Sequence, residues 1–165
     1  MSDTQDGAGG LSAGADSQAG IRDFEVSHVR RVVAGNPNTP GKVLSRLAAD
    51  ERARIRARVA ENPRADLELL RQLARDQDSE VRLAVAENPH TPAEILRLLA
   101  DDEDVDVRFG VAENTHMPED ILLKLAEDEN PYVRCRALKT VQMLDPDAQS
   151  RLSVLMQPGR RQSLG

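Results

Sequence analysis

The chain repeats itself with a period of 26 residues. The pentapeptide VAENP occurs at 59–63 and again at 85–89, and the variants VAGNP and VAENT stand at 33–37 and 111–115. A fixed period of this length is typical of solenoid proteins, in which a unit buries its apolar face only when a neighbouring unit stacks on it. Alignment from Val29 gives four full repeats and most of a fifth, so the repeat governs most of the chain.

Each repeat contains two apolar patterns with helical spacing. A β-branched residue recurs directly before an arginine, at Val29, Ile55, Val81, Val107 and Val133. A second apolar column lies four residues further on, so both columns share one face of a short helix, which we name helix B. Leucines three residues apart, such as Leu44 and Leu47, predict a second short helix, which we name helix A. Helices this short are marginal alone, so identical units must stack.

Polar residues and prolines mark where these helices begin and end. Thr-Pro at 39–40 and 91–92 predicts the start of helix A, with threonine as the cap and proline in the first turn. Asp78, Asp104 and Asn130 occupy the cap position of helix B. Asn-Pro at 36–37, 62–63 and 88–89 predicts its end, because proline disfavours the helical conformation of the residue before it.

These patterns predict an all-α solenoid of about five two-helix repeats, with flanking segments of another kind. Residues 1–22 are rich in Gly, Ser, Ala, Asp and Gln, which predicts a disordered tail. The solenoid is expected over residues 23–145. A capping helix is predicted at 146–157, and a flexible basic tail at 158–165.

The repeats resemble the leucine-rich repeat variant family of bacterial proteins, whose units read much like VRxxVAxNPxTPxxxLxxLAxD. The similarity is good at 55–76, 81–102 and 107–128, weaker at 29–50, and partial after residue 133. It implies a right-handed superhelix of alternating α and short, sometimes 3₁₀-like helices, similar in shape to HEAT repeats. Some members carry a cysteine-rich iron–sulfur module, which this chain, with Cys135 alone, cannot form.

Composition narrows the class of function. A net charge of -6 argues against a general nucleic-acid binder. The single Cys135 excludes a disulfide framework and favours a reducing cytoplasm. No signal peptide or transmembrane pattern is present in the sequence, which predicts a soluble protein without membrane contact. Because no catalytic or nucleotide-binding motif occurs, we expect neither enzyme activity nor a cofactor.

Two sequence patterns resemble metal sites, but in each case an interpretation without a metal is favoured. Asp102, Asp104 and Asp106 match the first positions of a calcium loop that would end at Glu113. However, Val107 replaces the glycine that such a loop requires, and the stretch matches helix B of every other repeat, so a capped helix is favoured. His90 and His116 share a column without further ligands, so we interpret them as polar surface.

The arginine column is the strongest polar regularity. We expect each guanidinium to be half-buried and bonded to carbonyls or to the column Asp50, Asp76, Asp102 and Asp128, forming a structural ladder. A ligand-binding role is the alternative. The asparagines that end helix B are assigned to the same ladder. Its predicted members are Arg30, Arg56, Arg82, Arg108, Arg134, Asn36, Asn62, Asn88 and Asn114.

One surface column of helix B becomes apolar along the chain. It reads Arg31, Ala57, Leu83, Phe109 and Cys135, and we name its last three members the apolar strip. Leu98 and Leu123 on helix A also replace residues that are charged or polar in most other repeats. The strip and these two leucines predict a partner-binding surface. Extra packing between adjacent B helices is the alternative.

Charge is divided along the repeat array. Residues 22–64 contain ten Lys or Arg against five Asp or Glu, a net +5, whereas residues 93–132 contain three against twelve, a net -9. The basic part offers a candidate phosphate-binding patch at Arg52, Arg54, Arg56 and Arg58. The favoured function is a non-enzymatic scaffold that binds another protein, and the alternative is nucleic-acid backbone binding through the basic repeats.

Overall fold

The computed structural model describes the backbone of residues 12–144 and the side chains of residues 22–144. The predicted capping helix at 146–157 and basic tail at 158–165 lie outside the described residues, as do residues 1–11. Within this range the chain forms nine α-helices and no strand. They are α1 (Ser12–Gly35), α2 (Gly41–Leu47), α3 (Ala53–Ala60), α4 (Leu67–Leu73), α5 (Ser79–Glu87), α6 (Ala93–Leu99), α7 (Val105–Glu113), α8 (Glu119–Leu125) and α9 (Pro131–Leu144).

The helices form the predicted solenoid in two layers. The B helices α1, α3, α5, α7 and α9 stack side by side in chain order. The A helices α2, α4, α6 and α8 each pack against the B helices that precede and follow them. The all-α solenoid is therefore confirmed, and in the described range every A helix is a seven-residue α-helix and not a 3₁₀ turn.

The core is a continuous aliphatic spine. The first apolar column of helix B is at most 1% exposed from Ile55 to Val133, and the second is fully buried from Val59 to Ala137. The leucine columns of helix A are equally buried, as at Leu70 and Leu96. Burial of one such side chain contributes about 1.5–3 kcal/mol. Each unit obtains this contribution only from its neighbours, because a single helix pair has no interior.

The predicted caps of helix B are confirmed, and those of helix A are wrong. Asp78 and Asp104 accept hydrogen bonds from amides in the first turn of α5 and α7. In contrast, the hydroxyls of Thr39 and Thr91 donate at 2.6 Å to carbonyl oxygens in the last turn of the preceding helix B. Among the described residues, those carbonyls otherwise accept only from the amide of the asparagine that follows the helix, so the buried threonines close the end of helix B and not the start of helix A.

Both ends of the array depart from the repeat. Helix α1 begins at Ser12, within the segment for which composition predicts a disordered tail as far as residue 22. No proline interrupts residues 12–35, so a helix anchored by the buried Ala34 can continue outward. Helix α9 runs on to Leu144, and Thr140 and Val141 stand where α1, α3 and α5 are followed by Asn-Pro and α7 by Asn114-Thr115.

Candidate functional site

The central arginines form a buried ladder along the stack. Arg56 donates from Nε and Nη2 to the two carboxylate oxygens of Asp76 at 2.7 and 2.8 Å. Its Nη1 donates to the carbonyl oxygen of Asp50 at 2.8 Å. Arg82 repeats these bonds with Asp102 and the Asp76 carbonyl, and Arg108 repeats them with Asp128 and the Asp102 carbonyl. Each guanidinium therefore joins two turns that lie one repeat apart.

Electrostatics keep both partners of the ladder charged. Hydrogen bonding to Asp76 raises the pKa of Arg56 against the opposing effect of burial. Burial alone would raise the pKa of Asp76, but hydrogen bonds from Arg56 and from the Asp78 amide outweigh it and hold this pKa below its ordinary value. The same balance lowers the pKa of Asp128. At neutral pH these groups serve the fold and present no free charge to a ligand.

The two terminal arginines are less engaged. Arg30 makes one bond to Asp50, at 2.8 Å, and its side chain is 46% exposed. Arg134 donates to the carbonyl oxygens of Asp128 and Glu129. The ladder is thus strongest in the middle of the array, where a repeat lies on both sides.

The asparagine column forms a second ladder. Asn62 Nδ2 donates to the Ala34 carbonyl of the preceding repeat at 2.6 Å, and its Oδ1 accepts from the Arg64 amide at 2.9 Å. Asn88 and Asn114 donate in the same way to the carbonyls of Ala60 and Ala86, and Thr140 takes over the column with a bond to the Ala112 carbonyl. Asn36 has no repeat before it and is exposed. Each buried amide thus closes its own turn and ties it to the previous unit.

The apolar strip is only partly open to solvent. Leu83 and Phe109 are half-buried against the core, and Cys135 is exposed. Leu83 packs over Gly110 so closely that a Cβ there would lie 2.5 Å from its Cδ1. Part of Leu83 is therefore buried by packing between the adjacent B helices α5 and α7, which is the alternative interpretation. The solvent-exposed parts of Leu83, Phe109 and Cys135 lie on successive B helices.

Leu98 and Leu123 lie on a different layer. They belong to the A helices α6 and α8, whereas the strip belongs to the B helices α5, α7 and α9. Leu98 is 46% exposed and Leu123 is half-buried. The structure therefore does not bring the five predicted partner-binding residues together into one surface.

A row of glutamates, Glu61, Glu87 and Glu113, runs beside the strip, and Glu87 forms no ion pair within residues 22–144. Glu61 is paired with Arg58, and Glu113 is paired with Arg136 at 2.9 Å. At the corresponding positions of the two repeats between them stand Ala84 and Gly110. Burial, and then the charges of Glu113 and Glu61, raise the pKa of Glu87. The surface beside Leu83 therefore carries a carboxylate that makes no ion pair with another described residue, although Arg31, Arg54 and Arg58 line the same groove.

The proposed phosphate patch is not assembled as a unit. Arg56 is buried in the ladder, so its inclusion in the patch is wrong. Arg52 is paired with Asp23 and Glu51, and Arg58 with Glu61. Among the described residues, Arg54 alone of the four is exposed without an ion pair. Three of these four arginines are therefore paired with carboxylates of the same chain.

A groove lies beside α1, at the starts of the neighbouring B helices α3 and α5. It has a volume of about 830 Å³ and is lined by α1 and by the starts of α3 and α5. Phe24 and His28 stack on one wall, with ring centroids 6.5 Å apart, near Arg31 and Arg54. Carboxylates of Asp78 and Glu80 line the opposite wall, so the groove is electrically mixed.

The outer face of α1 was not predicted as a site. Four large apolar side chains are exposed there: Phe24 (73%), Val26 (47%), Val29 (59%) and Val32 (56%). Val29 belongs to the column that is buried in every later repeat. Its position at the start of the array could have revealed the difference, because no repeat stands before it to cover it.

Neither metal pattern has acquired a metal-binding geometry. The calcium-like stretch forms helix α7, with Asp104 at its cap and Asp102 bonded to Arg82. His90 and His116 are exposed on turns. In the part of the chain that the structure describes, no three His, Cys, Asp or Glu side chains are grouped to hold an ion, and no helix there is long and apolar enough to cross a bilayer.

Comparisons with known proteins agree with the repeat geometry. Residues 29–87 match the family model described as Leucine Rich Repeat Variant domain, and residues 80–104 match the one described as Leucine rich repeat variant. Neither a curated protein nor a solved structure matches the chain. The two matched ranges together run from the last turns of α1 to the N-terminal cap of α7.

Proposed function

The chain belongs to the leucine-rich repeat variant family, and from this premise we propose that it is a non-enzymatic scaffold, acting in the cytoplasm, that binds another protein through the apolar strip. The assignment as a helical-repeat protein rests on the family and the fold. The binding surface and the nature of the partner are the proposal.

The division of labour among the repeat columns supports this choice. Columns that hardly vary, such as the arginines and asparagines, form intramolecular hydrogen bonds in the two ladders. Surface columns of helix B vary from repeat to repeat and are free to recognise a ligand. Extended solenoid surfaces of this kind are used for binding, not for catalysis.

The observation that carries the proposal is the column of Leu83, Phe109 and Cys135 on successive B helices beside Glu87, which forms no ion pair with another described residue. An apolar line next to a free carboxylate matches a partner segment that has an apolar stripe and a flanking lysine or arginine. Such a cation would occupy the place that Arg58 and Arg136 fill beside Glu61 and Glu113.

A pull-down from native extract followed by mass spectrometry tests this surface. The Phe109→Asp variant should lose the captured partner, because a charge would replace the centre of the strip; loss of a central anchor typically costs at least about 2 kcal/mol, or roughly 30-fold in affinity. The control is Leu67→Asp, at a 43% exposed leucine on α4. Equal capture by both variants, with unchanged helicity, would remove the strip from the interface.

Nucleic-acid binding is a weaker second candidate. Arg31 and Arg54 line the α1 groove without an ion pair among the described residues, beside the stacked Phe24 and His28. Aromatic and arginine side chains in one groove suit single-stranded nucleic acid. However, the acidic wall at Asp78 and Glu80 opposes the phosphate backbone.

A further inference from the structure

The outer face of α1 is an interface that lacks its partner. In later repeats, the same helix B positions face the preceding helix B. Gly110, in the column of Val32, lies against Leu83 and Ala86, and Arg136, in the same column, reaches Glu113. At the start of the array these positions are apolar and open, with Val29 59% and Val32 56% exposed.

A terminal repeat with an apolar outer face is unusual. Solenoids normally end in units whose outer surface is polar, because the last face has no neighbour to bury it. Here Val29 and Val32, three residues apart on α1, are both more than half exposed, and an exposed apolar surface marks an interaction site. The natural occupant is another aliphatic helix, as in the rest of the stack.

We propose that this occupant is α1 of a second copy of the chain, in an antiparallel two-fold dimer. Phe24, His28 and Val32 are spaced four residues apart and lie on one helical face. The stripe is symmetric about His28. An antiparallel pair therefore sets Phe24 of each copy against Val32 of the other and places the two His28 rings at the axis. Such an interface uses the same patch on both copies.

Charge and composition favour the second copy over other occupants. Residues 22–35 carry three basic and two acidic side chains, whereas residues 93–132 carry a net charge of -9 at the far end of the array. Pairing through α1 keeps the two acidic ends apart. The chain's own residues 1–11 include only Met1 and Leu11 as large apolar residues, so they offer little to cover this face. The length of α1, 24 residues or about 36 Å, suits helix pairing.

The oligomeric state of the full chain tests the proposal. Light scattering coupled to size-exclusion chromatography should give about 36 kDa, twice the 18.1 kDa of one chain. The Val29→Asp/Val32→Asp double variant should elute with the mass of one chain and an unchanged helical spectrum. Leu98→Asp, at an exposed leucine on the A layer, is the matched control and should stay dimeric. Phe24→Asp serves as a second variant, because a side chain 73% exposed can be replaced without loss of the fold.

Two results would overturn the dimer. One is a parent chain with the mass of a monomer over the whole accessible concentration range. The other is a dimer whose mass is unaffected by charges at Val29, Val32 and Phe24. The antiparallel register has its own check: His28→Cys in a Cys135→Ser background should form a disulfide-linked dimer on mild oxidation. A non-covalent dimer that forms no such crosslink would refute the register.

Discussion

Replacement of Arg82 by alanine tests the ladder at its strongest point. Arg82 is 9% exposed and makes three bonds of 2.7–2.8 Å, two to the Asp102 carboxylate and one to the Asp76 carbonyl. Its removal leaves the Asp102 side chain, only 8% exposed, without its cation. Breaking a buried pair by removing one partner costs about 3–5 kcal/mol.

This loss translates into a large shift in melting temperature. For a chain of 150–250 residues, each kcal/mol lowers the melting temperature by about 2–4 °C, so a loss of about 3–5 kcal/mol should make Arg82→Ala melt roughly 6–20 °C below the parent chain. Thermal unfolding followed by circular dichroism measures the shift directly.

Arg30→Ala is the matched control within the same column. Its side chain is 46% exposed and makes a single bond to Asp50, and this carboxylate keeps the Arg52 guanidinium 3.9 Å away and the Arg52 amide bonded at 3.0 Å, so the loss of Arg30 should cost clearly less than the loss of Arg82. Substitution of Arg82 and Asp102 together by apolar residues should recover most of the loss, because no uncompensated charge remains. Equal melting temperatures for Arg82→Ala and Arg30→Ala would refute a buried structural ladder.

Further predictions follow from the second ladder, from pH and from charge. Asn88→Ala should lower the free energy of unfolding by about 1–3 kcal/mol in urea titrations, and Asn36→Ala, at an exposed amide, by much less. Because the folded pKa of Asp76 is lowered, its contribution is complete above its ordinary pKa of 3.8 and is lost as pH falls below it; Asp76→Asn should remove this part of the acid dependence of melting. The raised pKa of Glu87 means that its charged form is disfavoured, so Glu87→Gln should melt slightly higher at neutral pH, and a lower value would contradict that. A gel shift at low salt should show no retarded nucleic acid, because Asp78 and Glu80 line the groove beside Arg54, and Arg52 and Arg58 are paired with carboxylates.

The columns of the repeat predict the interior well, because every unit solves the same packing problem. Spacing alone places Ile55, Val81 and Leu96 in the core, where each is at most 1% exposed. The N-terminal caps of helix B can also be predicted from the sequence, because an aspartate directly before an apolar helix commonly caps it. The asparagine column also marks the end of helix B, followed by proline in three repeats and by Thr115 in the fourth, and α9 continues where Thr140 replaces the asparagine.

The ends of the array are beyond the reach of the repeat pattern. Val29 and Val81 have the same sequence context, yet one is 59% exposed and the other fully buried, because only Val81 has a repeat before it. Composition likewise predicted disorder through residue 22, whereas α1 begins at Ser12. The burial of a side chain that is covered by the preceding repeat cannot be predicted from its own column alone.

Side-chain direction limits what the sequence can say of the surface. Arg56 was grouped with the neighbouring arginines as a patch, although its position on helix B turns it inward to Asp76. The threonines before proline resemble helix caps, but the carbonyls of the preceding helix are their nearer acceptors. In both cases the hydrogen-bond acceptor that fixes the side-chain direction belongs to a different turn or helix.

The central claim is that equivalent repeats share one continuous spine, and deletion of a single repeat tests it most directly. Removal of residues 79–104, which are 26 residues, joins Asp78 to Val105 and keeps every column in register. This chain should unfold cooperatively at a lower temperature, since one interface is lost. Removal of residues 79–105, one residue more, turns the following helices out of register and should abolish cooperative unfolding. An unchanged melting temperature after the first deletion, or the same behaviour after both, would contradict the stacked architecture.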